Sequence, residues 1–330
     1  MDTYDPYDAE QQETLLWNHP LVTKNYVALT PSMPQVLGIV MDCVMLHKTC
    51  LVFKAFPRMG KTTACNFVIS ALNSHPAFKD RFLTRVSADT NGDLKRRENI
   101  VKSLARSLGL RMPKRIDIGT LRVDVLNDIE STLRNRGGRH WVLFLDELQT
   151  LTIEDFEQLQ YIQNQLAVAN IDTTLIGFSQ TQISYAIKLL KEQKRAELTA
   201  RFLSEVWDLP YCTDHAWMTG TMKGYDEDFT YPAGSSCTYT QFFLPQAYAA
   251  GFRLASTASD IYQVMSEAVK KYNLPLLPTA FVFEVFRLIL IRSMKRDAPE
   301  FTVTQKIIES ATLESGLSSY ADILKQSGVL

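Results

Sequence analysis

The sequence predicts an α/β fold built on a parallel β-sheet, followed by a small all-α region. Between about residues 49 and 210, short apolar runs alternate with longer amphipathic ones. The short runs are continuously apolar, which is typical of parallel strands covered by helices on both faces. Beyond residue 245 a helical period occurs alone, at 261–272, 279–295 and 303–314. We therefore predict a three-layer αβα sandwich and a separate helical region.

Each element of the predicted sandwich follows from its local pattern. Apolar runs predict strands at 50–54, 82–86, 141–145, 174–178 and 206–209. Amphipathic stretches predict helices at 61–72, 93–108, 121–136, 153–169 and 182–198. Residues 211–245 are rich in Gly, Tyr, Thr and Phe and show no clear period. The expected organisation is an N-terminal arm, an α/β core, an irregular insert and a helical lid with the C-terminal tail, at 1–30, 31–210, 211–245 and 246–330.

The composition excludes several classes of protein. Of the 330 residues, 46% are hydrophobic and 22% are charged, which is typical of a soluble globular chain. No apolar run is long enough to cross a bilayer, and the acidic start does not resemble a signal peptide. The five scattered cysteines do not form a disulfide framework. We expect a cytoplasmic protein with no membrane partner.

A phosphate-binding loop is the strongest motif in the sequence. Gly60-Lys61-Thr62 follows a predicted strand and opens a predicted helix, which is the setting of the motif G-x-x-x-x-G-K-[ST]. Backbone N–H groups at such a helix start bind phosphate oxygens. Lys61 is expected to reach the β- and γ-phosphates of ATP and Thr62 to bind Mg²⁺. The predicted nucleotide-binding residues are Pro57, Arg58, Met59, Gly60, Lys61, Thr62 and Thr63.

One position departs from this motif. Ala55 stands where the first glycine of the loop normally lies. Because a left-handed turn favours glycine, alanine at this position raises a question about the shape of the loop.

Two acids follow the most strand-like run of the chain. The run 141–145 is apolar and ends in Asp146 and Glu147. Beside a phosphate loop, the first acid is expected to hold Mg²⁺ and the second to activate water for attack on the γ-phosphate. A strand followed by solvated charges would give the same pattern. The combination with Lys61 and Thr62 nevertheless favours an ATP-hydrolysing site.

Further catalytic candidates follow the last two predicted strand–helix units. Ser179 and Gln180 directly follow the run 174–178, where polar residues would lie beside the γ-phosphate as a sensor. Ser179 or Thr181 would also suit the cap of the next helix, and the two roles are compatible. Arg201 and Arg195 both precede the last strand, and either side chain is placed to reach the nucleotide of a neighbouring subunit. The spacing alone does not choose between these two arginines.

Together these residues resemble the AAA+ ATPases of the initiator-like kind. The resemblance is carried by the phosphate loop, by Asp146-Glu147, by Ser179 and by Ala200-Arg201-Phe202, followed by a helical region. More narrowly, the segments 17–20, 144–147 and 277–298 are similar to TnsC/TniB, the ATP-dependent target-selection regulators of DNA transposons. The chain length and the insert at 211–245 look most similar to TnsC of the Cascade-guided CRISPR-associated transposons.

The resemblance implies an AAA+ P-loop fold with an α-helical C-terminal lid, and a regulatory function. ATP binding would drive homo-oligomerisation, as a ring or filament, on double-stranded DNA in the bacterial cytoplasm. The assembly would connect a targeting module, TniQ with its guide complex, to the transposase TnsB and its partner TnsA. Arg201 would act in trans. No clear lid arginine is evident apart from Arg287, so hydrolysis is expected to be slow.

A basic cluster is the main sequence evidence for DNA contact. Lys95, Lys102 and Arg106 share one face of a predicted helix, next to polar residues at a strand-to-helix turn. Such a face suits contacts to the phosphate backbone, although it is also typical of a solvated helix. The predicted DNA-binding residues are Thr90, Asn91, Lys95, Arg96, Lys102 and Arg106.

Two other functions are compatible with the motifs. A P-loop small-molecule kinase would use the same phosphate loop but would need an acceptor pocket and no arginine in trans. An ATP-gated DNA scaffold would bind nucleotide and scarcely hydrolyse it.

Overall fold

The computed structural model describes residues 4–88, 98–112 and 117–326. The chain forms two compact units, of which one is Met33–Pro210. The other combines Met1–Ser32 with Tyr211–Leu330. This division differs from the expected one, because the arm and the segment 211–245 belong to the same unit as the C-terminal helices.

The unit Met33–Pro210 is built on a parallel sheet of five strands, as the sequence predicts. The strands are β1 (Cys50–Lys54), β2 (Phe82–Ser87), β3 (His140–Asp146), β4 (Asp172–Ser179) and β5 (Val206–Asp208). Their order in the sheet is β2-β3-β4-β1-β5. Because β4 lies between β1 and β3, the carboxyl ends of these three strands are neighbours. The phosphate loop follows β1, whereas Asp146 and Ser179 are the last residues of β3 and β4.

Helices flank this sheet and make up most of the second unit. In the first unit they are α3 (Ser32–Met45), α4 (Lys61–Ser74), α5 (Ile100–Ser107), α6 (Ile118–Arg136), α7 (Ile153–Val168), α8 (Ile183–Glu192) and α9 (Ala196–Phe202). In the second they are α1 (Ala9–Leu16), α2 (Pro20–Thr23), α10 (His215–Lys223), α11 (Tyr239–Phe243), α12 (Pro245–Ala249), α13 (Ala258–Lys271), α14 (Thr279–Ser293), α15 (Gln305–Glu314) and α16 (Leu317–Gln326). The three-layer α/β core and the helical C-terminal region are thus confirmed.

The strand register brings β4 close to the acidic end of β3. Gly177 pairs with Leu145 on one side and with Val52 on the other. A Cβ at this position would approach Cδ2 of Leu148 to 2.7 Å, so any other residue would require the Leu148 side chain to shift. The close approach seats the 3₁₀ turn Leu148–Thr150, which follows the acidic pair, against the sheet.

Two elements differ from the sequence prediction. The helix expected at 182–198 is interrupted after Glu192, where Lys194 adopts a left-handed conformation with φ +57°. The segment 211–245, expected to be irregular, contains α10 and a π-helical turn at Gly224–Asp228. Asp214 caps α10 by accepting a hydrogen bond from the N–H of Trp217 at 2.8 Å.

The N-terminal arm is fastened to the helices of its own unit. Arg287 of α14 donates from Nε to the carbonyl oxygen of Leu21 at 2.6 Å and pairs with Glu284 at 2.8 Å. Glu284 also pairs with Lys24 of the arm at 2.9 Å. Arg287, the one candidate for a lid arginine, is therefore committed to the arm. Among the described residues, no helix has the length and apolarity to cross a membrane.

Candidate nucleotide site

The phosphate loop has the backbone shape that its motif predicts. Gly60 adopts a left-handed conformation, with φ +82°, directly before the first residue of α4. Arg58 is also left-handed, with φ +65°. Ala55 is not among the residues with positive φ, and its N–H donates to the carbonyl oxygen of Ser179 at 3.0 Å. Ala55 therefore continues the pairing of β1 with β4, which explains why this position does not need glycine.

Lys61 is buried at the start of α4 and its ammonium group is held by the loop. Its Nζ donates to the carbonyl oxygen of Phe56 at 3.2 Å and to that of Ala55 at 3.5 Å. Burial lowers the pKa of Lys61, while Glu147 and Asp146 act in the opposite direction. The side chain thus lies between the loop and the two acids, where it can neutralise phosphate charge.

Thr62 and Asp146 form the oxygen pair expected for a magnesium site. The hydroxyl of Thr62 donates to Oδ2 of Asp146 at 3.0 Å, and Asp146 is only 2% exposed. A hydroxyl and a carboxylate are hard oxygen ligands, which Mg²⁺ prefers together with water and substrate phosphates. The donor set of these two residues therefore fits the ion, and Lys61 beside it fits the phosphates.

Arg85 belongs to this site although the sequence pattern did not indicate it. Its Nη2 donates to Oδ2 of Asp146 at 3.0 Å, and its Nη1 donates to Oδ1 of Asn66 in α4 at 2.5 Å. The side chain reaches the acid because β2 lies next to β3 in the sheet. An arginine within a predicted strand, where apolar residues are usual, was the available signal in the sequence.

The second acid is held by two glutamine side chains. Glu147 is left-handed, with φ +58°, and its Oε2 accepts a hydrogen bond from Nε2 of Gln180 at 3.0 Å. Nε2 of Gln149 donates to the same oxygen. The amide oxygen of Gln149 in turn accepts from the hydroxyl of Ser179 at 3.0 Å and from the N–H of Gln180 at 2.9 Å. This network fixes the carboxylate of Glu147 beside the end of β4.

The structure places Ser179 in this network and not at a helix start. Ser179 is fully buried, and the residue that precedes α8 is Gln182, whose side chain makes no capping hydrogen bond. Ser179 therefore does not cap α8, and its position near the γ-phosphate stays a prediction. Gln180 belongs to the polar strand end that the sequence indicated, whereas Gln149, which completes the network, was not among the predicted residues.

The two candidate arginines differ in their partners. Arg195 pairs with Glu157 and also with Glu197, to which its Nε donates at 2.8 Å. Arg201 donates from Nη1 to the amide oxygen of Asn164 at 2.6 Å, and among the described residues it has no carboxylate partner. A guanidinium neutralised by two glutamates is poorly suited to bind phosphate, so the geometry favours Arg201.

The predicted DNA-binding residues are only partly described. Thr90, Asn91, Lys95 and Arg96 lie outside the described residues. Arg106 is exposed on α5, where both of its terminal nitrogens donate to Glu98, one of them at 2.7 Å. A DNA phosphate would have to compete with this ion pair. Lys102, on the same helix, is partly buried. The DNA contact therefore stays a prediction.

The fold is that of AAA+ P-loop proteins, and one part of the chain matches a family model. Residues 44–203 match the family model described as the AAA domain. The structure is similar to that of the Aeropyrum pernix ORC1 protein in complex with DNA, with a TM-score of 0.55 at 14% identity over 89% of this chain and 68% of that one. It is also similar to the Aeropyrum pernix ORC2 protein in ADPNP-ADP complexes, with a TM-score of 0.55 at 12% identity over 88% and 71%. No curated protein matches the sequence.

Proposed function

We propose that this protein is an ATP-dependent, DNA-binding regulator of transposition that oligomerises on double-stranded DNA and connects target-site recognition to the transposase. The observation that carries the proposal is the convergence of Lys61, the pair Thr62–Asp146 and Glu147 at one edge of the sheet. Arg201, which lacks a carboxylate partner among the described residues, would complete the site of a neighbouring subunit.

Each residue of the site has a distinct role in the proposed reaction. Lys61 and the N–H groups at the start of α4 bind the phosphates of ATP. Thr62 and Asp146 would hold Mg²⁺, which when bound would neutralise negative charge on the phosphates of ATP. Glu147 takes a proton from the attacking water, and the amides of Gln149 and Gln180 orient its carboxylate.

An arginine supplied in trans makes nucleotide turnover depend on assembly. The charge of Arg201 stabilises the transition state of phosphoryl transfer only when a second subunit is in place. ATP bound between subunits would in turn strengthen their contact, because ligand binding shifts the equilibrium towards the state that binds it better. The nucleotide would thus control the formation of a ring or filament.

The DNA-related part of the proposal rests on the resemblance to TnsC/TniB and on the basic residues of α5. One of the structurally similar proteins, ORC1, is described in complex with DNA. The proposed partners are TniQ with its guide complex on the target side, and TnsB with TnsA on the transposase side. The protein would act in the bacterial cytoplasm and associate with the nucleoid when bound to DNA.

A scaffold that binds ATP and scarcely hydrolyses it is a second candidate. The observation that favours it is the hydrogen bonding of Glu147, whose Oε2 accepts from two amides. A carboxylate oxygen engaged in this way is a weaker proton acceptor for water. A rate of ATP hydrolysis that duplex DNA does not increase, in a protein that still assembles, would support the scaffold.

The proposal is tested by electron microscopy and co-sedimentation of the protein with duplex DNA and a non-hydrolysable ATP analogue. The wild type is expected to form rings or filaments. Lys61→Ala is expected to abolish them, because the loop loses its charge towards the phosphates. The control is Lys79→Ala, which removes an exposed lysine beyond the opposite end of α4. Assembly on DNA by Lys61→Ala would show that the nucleotide is not the switch.

A further inference from the structure

Arg85 shares an acceptor with the residues of the magnesium site. Oδ2 of Asp146 accepts from the hydroxyl of Thr62 at 3.0 Å and from Nη2 of Arg85 at 3.0 Å. This oxygen belongs to the buried carboxylate of Asp146. Asp146 and Thr62 are the two proposed ligands of Mg²⁺. We infer that Arg85 competes with Mg²⁺ for Asp146 and so sets the magnesium concentration at which nucleotide binds. The inference rests on the proposed binding of magnesium nucleotide.

The guanidinium is fixed in place from two directions. Its Nη2 donates to Oδ2 of Asp146, and its Nη1 donates to Oδ1 of Asn66, on the second turn of α4. The side chain is about one-third exposed, with a relative accessibility of 34%. Arg85 is therefore a positioned charge at the site, and solvent screens it only in part.

The position of this charge has two effects of opposite sign. A guanidinium next to Asp146 repels a divalent cation and occupies a lone pair that the cation would use, so it lowers the affinity for Mg²⁺. The same positive charge attracts the phosphates, so it raises the affinity for ATP without metal. A purely structural role would give a different result, because loss of a support for Asp146 would weaken both interactions.

Because Arg85 is expected to lower the affinity for Mg²⁺ and to raise the affinity for metal-free ATP, nucleotide binding is measured with and without the metal. Binding of a fluorescent ATP analogue is measured by anisotropy, first with EDTA and then across a titration of MgCl₂. For Arg85→Gln we expect affinity in EDTA to fall about 3- to 10-fold and the Mg²⁺ concentration at half-effect to fall by about the same factor. Arg85→Lys keeps the charge but not the forked hydrogen bonding, so its Mg²⁺ midpoint is expected to lie between those of the wild type and Arg85→Gln. The control is Arg139→Gln, which removes an exposed arginine at the opposite end of β3.

Each outcome decides between the possibilities. If the Mg²⁺ midpoint of Arg85→Gln stays at the wild-type value or rises, the inference is wrong and Arg85 is a structural support. If the wild type binds no nucleotide at all, the proposed function fails with it. Folding of each variant is checked by circular dichroism. Should Arg85→Gln not fold, Arg85→Met carries the same expectation.

Discussion

Asp146 and Glu147 are adjacent in the chain but have different surroundings. Asp146 belongs to β3, is 2% exposed and faces a hydroxyl and a guanidinium. Glu147 leaves the strand in a left-handed conformation, which turns its carboxylate towards Gln149 and Gln180. A single change of backbone conformation therefore separates the acid proposed to bind Mg²⁺ from the acid proposed to activate water.

His19 is the most unusual buried side chain of the second unit. It is fully buried, and its Nδ1 accepts a hydrogen bond from the N–H of Leu21 at 3.0 Å. The rings of Tyr231, Tyr239, Phe242 and Phe243 surround it at centroid distances of 4.5–4.7 Å. Burial among these rings lowers the pKa of His19 to about 3. The imidazole is thus neutral in the folded protein.

This shift predicts a dependence of stability on pH. The unfolded state takes up a proton near pH 6.5, so the contribution of neutral His19 is complete above that pH and is lost as the pH falls towards 3. Between pH 7 and pH 5 we expect the wild type to lose about 2 kcal/mol more unfolding free energy than His19→Asn, which keeps an acceptor for Leu21 but does not titrate. Urea unfolding followed by fluorescence measures this difference. Equal losses in both proteins would contradict the assignment.

At the scale of elements, Asp155 joins two helices of the core. It lies in the first turn of α7, where it forms a capping box with Thr152. Its Oδ1 also accepts from the N–H of Ile100, the first residue of α5, at 3.0 Å. Because the carboxylate is 3% exposed, its loss would leave a buried backbone donor without an acceptor.

We expect Asp155→Ala to lower the unfolding free energy by about 2–4 kcal/mol, the sum of a lost cap and an unsatisfied donor. Urea denaturation monitored by circular dichroism gives the value. The matched control is Asp124→Ala on the exposed face of α6, where the change should stay within about 0.5 kcal/mol. A loss of the same small size for Asp155→Ala would indicate that α5 does not depend on this carboxylate.

The pattern of the sequence predicts the sheet well because buried parallel strands are continuously apolar. The acids and Ser179 were found for the same reason, since they directly follow such strands. Arg85 was missed because its partner Asp146 is identified only by the order of strands, which periodicity does not contain. The interruption between α8 and α9 carries no glycine or proline, and the left-handed residue is Lys194. The helix α10 was missed because two threonines and a glycine, which are weak helix formers, lie among its few apolar residues.

At the scale of the whole molecule, the candidate site contains the residues that a single subunit can supply. The carboxyl ends of the strands in one sheet position Lys61, Thr62, Asp146 and Glu147. Arg201 lies elsewhere, in the last turn of α9. Its present partner, Asn164, is neutral and leaves the charge available. A head-to-tail arrangement of subunits, which generates rings or filaments, would place one such arginine at each nucleotide.

Mixing of two inactive variants tests this sharing of the site. Alone, Arg201→Ala is expected to lower DNA-stimulated ATP hydrolysis at least about 10-fold, and Glu147→Gln about 100-fold or more. In an equal mixture, roughly a quarter of the interfaces combine an intact Glu147 with an intact Arg201, so up to about a quarter of the wild-type rate should return. Phosphate release measures the rate. A mixture that shows only the mean of the two variants would mean that Arg201 does not act in trans. The control mixes Glu147→Gln with Arg195→Ala. Arg195→Ala should retain activity alone, because Glu157 and Glu197 already neutralise Arg195. The rate of this mixture should equal the mean of the rates of the two separate variants.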